Sequence, residues 1–101
     1  MLTINKNVSG DKMTVLLEGR LDTVTAPDLQ KELDASLDGI NELVLDFEKL
    51  EYISSAGLRV LVAVHPIMAK RNGMKLIHVN DTIMKIFTVT GLSNLLVIEW
   101  G

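Results

Sequence analysis

The sequence predicts a single α/β domain over residues 1–101, with a mixed, mostly parallel sheet that carries one antiparallel edge strand. The 101 residues are 48% hydrophobic and 23% charged, which is typical of a globular chain and sufficient to bury one core. Segments with strand periodicity alternate with helical segments in the order β-β-α-β-α-β-α-β. This order favours parallel strands joined by helices.

The first two strands are predicted at residues 2–5 and 12–18, where apolar residues such as Met13 and Leu17 alternate with residues of the opposite face. The sequence Ser-Gly-Asp at 9–11 is a turn signal between them. These two strands should therefore form an antiparallel hairpin.

The first helix is predicted to begin after Thr25, which is a suitable N-cap. Pro27 falls in its first turn, and Asp28 takes the third position of a variant capping box. Leucines at every fourth position from 29 to 37 give the buried face, and Gly39 ends the helix.

The third strand is nearly all apolar, which is typical of a strand that is buried on both faces in a parallel sheet. The remaining predicted elements are a strand at Leu43–Phe47, an apolar helix from Ala56 to about Arg71, a strand at Leu76–Val79, a helix capped by Asp81 and ending near Gly91, and a strand at Leu95–Ile98.

Three strand-to-helix connections should converge at one edge of such a sheet, where partners meet the helix N-termini. All three are rich in hydroxyls and carboxylates. They contain Asp22, Thr23 and Thr25 in the first, Asp46, Ser54 and Ser55 in the second, and Asn80, Asp81 and Thr82 in the third.

Composition disfavours several classes of partner. The net charge of -3 argues against nucleic acid, because no basic stripe is present to neutralise phosphates. No apolar run is long enough to span a membrane, and the first residues lack a signal-peptide core, so we expect a cytoplasmic location without membrane contact. The absence of cysteine excludes disulfides and thiolate metal sites.

Catalysis is not expected either. A serine nucleophile needs a base, and the only histidines are His65 and His78. His65 lies roughly 15 Å along the second helix, and no third group is evident to orient His78. No phosphate-binding loop or metalloprotease motif is present. Asp22 and Asp46 are conceivable ligands of a hard cation, but carboxylates at strand ends more often form caps or turns. We therefore expect no enzyme activity, no cofactor and no metal.

Ser54 and Ser55 admit two interpretations. Ser55 can cap the second helix, a contribution of about 1 kcal/mol. Alternatively, one hydroxyl is phosphorylated, because a phosphate at a helix N-terminus faces free N–H groups. Such a phosphate adds about −1.5 to −2 charges to an edge that holds Asp22 and Asp46, and so repels a docked partner without unfolding the protein.

Three segments resemble the STAS domain family, and within it the free-standing anti-sigma factor antagonists of bacteria. They are LEGRLDTVTAPDL at 17–29, LVLDFEKLEYISSAGLRVL at 43–61 and NGMKLIHVNDTIMKIFTVTGL at 72–92. The resemblance covers essentially the whole chain and implies a single STAS-like domain. The middle segment is the most specific, because its strand–Asp–turn–Ser–x–Gly–Leu order is hard to produce by chance.

The resemblance implies a regulatory binding module and not an enzyme. In the family, the unphosphorylated protein binds an anti-sigma factor, often itself a serine kinase of the histidine-kinase-like ATPase type, and thereby regulates transcription. Phosphorylation of a serine two residues before the helix glycine abolishes binding, and a serine phosphatase reverses it. With Gly57 as that glycine, the acceptor is Ser55. Ser54 stands where the family often carries Asp, and this second hydroxyl is the alternative acceptor.

The partner-binding residues that the resemblance implies are Asp22, Thr23, Asp46, Ser54, Ser55, Gly57 and Leu58. Gly57 also has a structural interpretation, as the residue that lets the helix start pack close to the sheet. A constitutive STAS interaction module in another signalling or transport-related assembly is the alternative function. The oligomeric state is left open between a monomer and a weak dimer.

Overall fold

The computed structural model describes residues 2–100 and contains the predicted elements in the predicted order. The elements are β1 (Leu2–Ser9), β2 (Lys12–Leu21), α1 (Ala26–Ser36), β3 (Glu42–Ile53), α2 (Ser55–Ala69), β4 (Met74–Val79), α3 (Asp81–Thr90), a 3₁₀ turn (Leu92–Asn94) and β5 (Val97–Trp100). The α/β class and the order β-β-α-β-α-β-α-β are therefore confirmed.

The five strands form one sheet in sequence order, β1-β2-β3-β4-β5. Only the β1–β2 pair is antiparallel within the part of the chain that the structure describes, and the other three pairs are parallel. The hairpin closes where Ser9 pairs with Lys12. Gly10 adopts a φ of 63° in the connecting turn, a conformation that glycine reaches without strain. The predicted antiparallel edge strand is confirmed.

β3 is longer than the predicted Leu43–Phe47, because it pairs with β2 in three successive stretches. The register shifts between Leu16 and Glu18 and again between Gly19 and Arg20, as expected of β-bulges, and the shifts break the simple alternation of buried residues. β5 begins at Val97 and not at the predicted Leu95, because the 3₁₀ turn occupies the residues just after Gly91.

All three helices share one hydrophobic core with the inward residues of the sheet, and Phe47 packs on Phe87 with ring centroids 6.3 Å apart. The other side of the sheet, here called the open face, is only partly covered. It includes Thr14, Leu16, Val44, Asp46, Glu48, Lys75 and Ile77, among which only Val44 is buried.

The α1 cap lies at the predicted residue, whereas the α3 cap does not. Thr25 lies at the N-cap position of α1, but its hydroxyl makes no cap hydrogen bond. At α3 the cap is Asn80 and not Asp81, because Asn80 keeps an extended backbone while Asp81 is already helical. The Asn80 Oδ1 accepts the Ile83 N–H at 2.9 Å, which satisfies one free donor of the first turn.

Candidate functional site

The start of α2 is built by a direct transition from strand to helix. Because β3 extends to Ile53, only Ser54 separates the strand from the helix, and Ser54 has an extended backbone with φ −98° and ψ 175°. Ser55 is the first helical residue. The expectation that Ser55 precedes and caps the helix is therefore wrong. The cap position belongs to Ser54, whose side chain makes no cap hydrogen bond.

The two serine hydroxyls differ in access. The Ser54 Oγ is buried and has no hydrogen-bond partner within residues 2–100, whereas Ser55 is exposed. The Leu58 N–H donates to the Ser54 carbonyl at 3.0 Å and forms the first intrahelical bond. The three preceding N–H groups therefore have no acceptor within the helix and lie at the positive end of its dipole. An anion on Ser55 would lie beside these donors.

Gly57 fixes how closely α2 approaches the sheet. A Cβ atom at this position would lie 2.7 Å from Leu21 Cγ and 2.9 Å from Ile53 Cγ1, closer than van der Waals contact allows. Gly57 is buried, and Leu58 is only 9% exposed. Both belong to the interior, and a direct contact of either residue with a partner stays a prediction. They support the start of the helix from beneath.

Asp22 forms the turn that joins β2 to α1. Its Oδ1 accepts the N–H groups of Val24 and Thr25, each at 3.0 Å. The buried Thr25 hydroxyl donates to the Arg20 carbonyl at 2.8 Å and accepts the Asp22 N–H at 2.9 Å. The hydrogen bond from the Thr25 backbone, followed by that from Val24, lowers the pKa of Asp22 although desolvation opposes the shift. Asp22 is thus a turn-forming residue, and Thr23 lies exposed at the tip of the turn.

The side chain of Arg20 connects this turn to the strand that leads into α2. Its guanidinium lies 4.5 Å from the centroid of the Tyr52 ring, and its Nε lies 4.0 Å from the Asp22 Oδ2. Because Arg20 and Tyr52 are exposed, solvent screens both contacts and they contribute little to stability. The arrangement places a positive charge between the Asp22 turn and the residues before Ser54.

The connection that contains Asp22 lies beside the start of α2, as predicted, but Asp46 lies elsewhere. The Ser54 N–H donates to the Leu21 carbonyl at 2.8 Å, which sets the Asp22 turn beside the start of α2. Asp46 pairs with Leu16, five residues before Leu21 and hence roughly 16 Å away along β2. The prediction that Asp46 lies at the same edge as Ser55 is therefore wrong. The third connection reaches β3 where the Asn80 Nδ2 donates to the Leu50 carbonyl at 3.3 Å.

Asp46 instead contacts a histidine on the open face. The His78 Nδ1 lies 2.9 Å from the Asp46 Oδ1, which also accepts the Glu48 N–H at 3.0 Å. The hydrogen bond with Asp46 raises the pKa of His78, and the charges of Asp46 and Glu48 add to the effect. His78 has a φ of 56°, and the sequence carried no signal for this conformation or for this pair.

Exposed apolar side chains surround the start of α2. Val24, at the tip of the first turn, is 81% exposed, and Tyr52 and Val62 are about two-fifths exposed. Val62 lies seven residues after Ser55 and therefore on the same face of α2. Sequence patterns counted Val62 with the core residues of an apolar helix and did not single out Val24 or Tyr52. Only their exposure distinguishes them.

The chain belongs to the STAS domain family. The family model described as "Mlab, STAS domain" matches residues 4–98, and the family resemblance seen in the sequence is confirmed. Within this family the chain is similar to anti-sigma factor antagonists, which are regulatory binding proteins without enzymatic activity.

Two curated relatives illustrate the similarity. BtrV of Bordetella bronchiseptica, named provisionally as an anti-sigma factor antagonist, is 35% identical over 77 residues, which cover 74% of this chain and 66% of that protein. This chain thus spans just under two thirds of its length. The anti-sigma-B factor antagonist of Listeria monocytogenes is 28% identical over 92 residues, which cover 88% of this chain and 80% of that protein.

Solved structures share the fold. An anti-sigma factor antagonist from Mycobacterium paratuberculosis has a TM-score of 0.88 at 25% identity and covers 98% of this chain and 86% of its own. The phosphorylated form of the Bacillus cell fate determinant SpoIIAA has a TM-score of 0.74 at 17% identity, over 95% of this chain and 90% of its own. Within residues 2–100, no helix has the length and apolar character needed to cross a membrane.

Proposed function

We propose that this chain is an anti-sigma factor antagonist, which binds an anti-sigma factor through the surface at the start of α2 and releases it when Ser55 is phosphorylated. The observation that carries the proposal is the difference in access between adjacent hydroxyls. Ser55 is exposed, whereas the Ser54 Oγ is buried. Because a kinase must reach the oxygen that it phosphorylates, Ser55 is the acceptor and Ser54 is not.

The partner surface comprises the exposed residues around Ser55. Thr23 and Val24 lie on the neighbouring turn, Tyr52 precedes the helix, and Val62 continues the exposed face of α2. Exposed apolar side chains beside a polar centre are typical of a protein–protein contact. Asp22 shapes this surface through its turn. Asp46 can take part in partner binding only if the partner covers the open face as well as the start of α2.

The names of the relatives support the choice of the first partner. The Listeria relative is named as an antagonist of anti-sigma-B factor, and by analogy an anti-sigma factor is the first partner of this chain. In our proposal this partner is also the serine kinase, of the histidine-kinase-like ATPase type, and a serine phosphatase restores binding in the cytoplasm. The phosphorylated form of SpoIIAA has the same fold as this chain, which supports the proposal that the fold accommodates a phosphate.

The acceptor is tested by incubating the protein with ATP and the serine-kinase anti-sigma factor of the same genome, then mapping the phosphate by mass spectrometry. Wild type and Ser54→Ala should be labelled once, at Ser55, and Ser55→Ala should not be labelled. Labelling of Ser55→Ala at the wild-type level would refute the assignment. Ser54→Ala is the matched control, because it removes the adjacent hydroxyl.

The release step is tested by capture of the same anti-sigma factor on immobilised wild type, Ser55→Asp and Ser9→Asp. We expect Ser55→Asp to lose most of the bound partner, and Ser9→Asp, which adds the same charge to the exposed end of β1, to retain it. Equal capture by all three would refute release by charge at Ser55. Because Asp in the first turn of a helix is favourable, the melting temperature should stay within a few degrees.

A constitutive STAS interaction module is the second candidate. The description of the matching family model names Mlab and does not name an anti-sigma factor antagonist. We therefore keep the constitutive module as the alternative function. The two candidates differ in one outcome. A constitutive module binds its partner equally well with Ser55 unmodified, phosphorylated or replaced by Asp, whereas the proposed antagonist loses its partner.

A further inference from the structure

Three side chains with metal-binding atoms converge on the open face, away from the start of α2. Asp46 and Glu48 project from β3, where their neighbours Leu45 and Phe47 point into the core. His78 lies near the end of β4. The ligand atoms of Asp46, Glu48 and His78 all lie within 4.8 Å of one another. None of these residues contributes to the proposed phosphorylation site, so an inference from them stands independently of that function.

The position of His78 requires an unusual backbone. Its φ of 56° is uncommon for a residue other than glycine. The β4–β5 register shifts between Leu76 and Val79, and both of these residues are fully buried. The irregularity therefore lets His78 remain outside, beside Asp46, while Val79 returns to the core. Backbone strain of this kind costs about 1–3 kcal/mol and is concentrated at functional sites.

The spacing of the ligand atoms suits a divalent ion. Nitrogen and oxygen ligands lie about 2.0–2.2 Å from Zn²⁺, so two ligands of a tetrahedral site are about 3.3–3.6 Å apart. The His78 Nδ1 and the Asp46 Oδ1 are hydrogen-bonded at 2.9 Å, and they need to separate by only about half an ångström for an ion to replace the proton between them. Glu48 is exposed, so its side chain is free to rotate and to supply the third ligand atom.

The donor types narrow the choice of ion. One imidazole and two carboxylates match Zn²⁺ better than Mg²⁺ or Ca²⁺, which prefer sites made only of oxygen atoms. We propose that Asp46, Glu48 and His78 form a Zn²⁺ site on the open face, with water completing the coordination. The paired residues Asp46 and Ile77 are the last that join β3 to β4, so the ion links the two strands just where they separate.

The site is tested by calorimetric titration of the EDTA-treated full chain with ZnCl₂ and, separately, with MgCl₂. Wild type should bind one Zn²⁺ saturably and Mg²⁺ at least about tenfold more weakly, a difference of about 1.4 kcal/mol. Zn²⁺ should also raise the melting temperature, and EDTA should reverse the rise. The absence of saturable Zn²⁺ binding, or equal binding of the two ions, would overturn the proposal.

Matched variants assign the ligands. His78→Asn and Glu48→Gln should each weaken Zn²⁺ binding at least about tenfold, and asparagine tolerates the positive φ at this position. Glu51→Gln, on the same strand but outside the cluster, and His65→Gln, which alters the other histidine, should bind Zn²⁺ like wild type. Circular dichroism confirms that each variant is folded. Loss of binding in His65→Gln, or its retention in His78→Asn, would overturn the assignment.

Discussion

The packing beneath the start of α2 gives the sharpest prediction for stability, the substitution Gly57→Ala. The added Cβ would lie 2.7 Å from Leu21 Cγ, 2.9 Å from Ile53 Cγ1 and 3.0 Å from Leu21 Cδ2. Both neighbours are essentially inaccessible to solvent, with Leu21 0% and Ile53 2% exposed. The new methyl group has no free volume to enter, so the helix start or these side chains must move.

The expected magnitude is the difference between two effects. Overpacking of a filled core costs about 1–3 kcal/mol, and replacing glycine by alanine inside a helix returns about 0.5–1 kcal/mol. The difference spans about 0 to 2.5 kcal/mol, and because the added Cβ would lie under 3.0 Å from atoms of buried side chains, we expect Gly57→Ala to lose about 1–2 kcal/mol of unfolding free energy. For a domain of this size, that loss corresponds to a fall of about 4–16 °C in the melting temperature.

The assay is urea and thermal unfolding followed by circular dichroism. Ser55→Ala is the matched control, because it alters an exposed residue of the same turn and should change stability by less than about 0.5 kcal/mol. Leu21→Val should cost less in the Gly57→Ala background than in wild type, since it removes one of the clashing atoms. Wild-type stability of Gly57→Ala, or strict additivity with Leu21→Val, would refute the argument from close approach.

Three further predictions concern the turns and caps. The pKa of Asp22 is lowered in the folded state, so the ionised carboxylate stabilises the fold fully above about pH 5, and this stabilisation is lost as the pH falls below about 4 towards the lowered pKa. Urea titrations of Asp22→Asn should therefore show a loss of stability, relative to wild type, that becomes smaller at low pH. A loss that stays constant with pH would contradict this reasoning. Thr25→Val should lose about 1–3 kcal/mol, because it strands two hydrogen-bonded backbone groups, while Thr25→Ser should largely retain stability in the same denaturation assay. Asn80→Ala should lose about 1 kcal/mol by removing the α3 cap, and an equal loss in Asp81→Ala would argue against Asn80 as the cap.

The sequence predicted the fold because hydrophobic periodicity and turn residues report the elements one at a time. The length of β3 was underestimated from the sequence, and the reason is physical. The residues of β3 that belong to the core cluster follow one another at spacings of two up to Phe47, then of three to Leu50 and to Ile53. The register shifts that cause this change depend on pairing with β2, and pairing is a property of two segments that no single pattern displays.

The candidate site was predictable only in part. The family resemblance located Ser55, Gly57 and Asp22, but their roles depend on burial and register. Which serine hydroxyl is accessible depends on how β3 ends, and the position of Asp46 depends on its pairing with Leu16. Sequence order places Asp46 and Ser55 on the same connection, whereas the long β3 separates them along the sheet.

The surroundings of Ser55 indicate how its phosphate would act. Asp22, the nearby carboxylate that the sequence suggested, already accepts two backbone hydrogen bonds and has Arg20 beside it, so the phosphate does not face an unbalanced negative charge in its own protein. Donors at the helix start favour the added charge. The cost arises when a partner covers the exposed apolar rim of Val24, Tyr52 and Val62 and must desolvate the phosphate beside it. Phosphorylation should therefore remove the partner while the fold, and the packing around Gly57, stay unchanged.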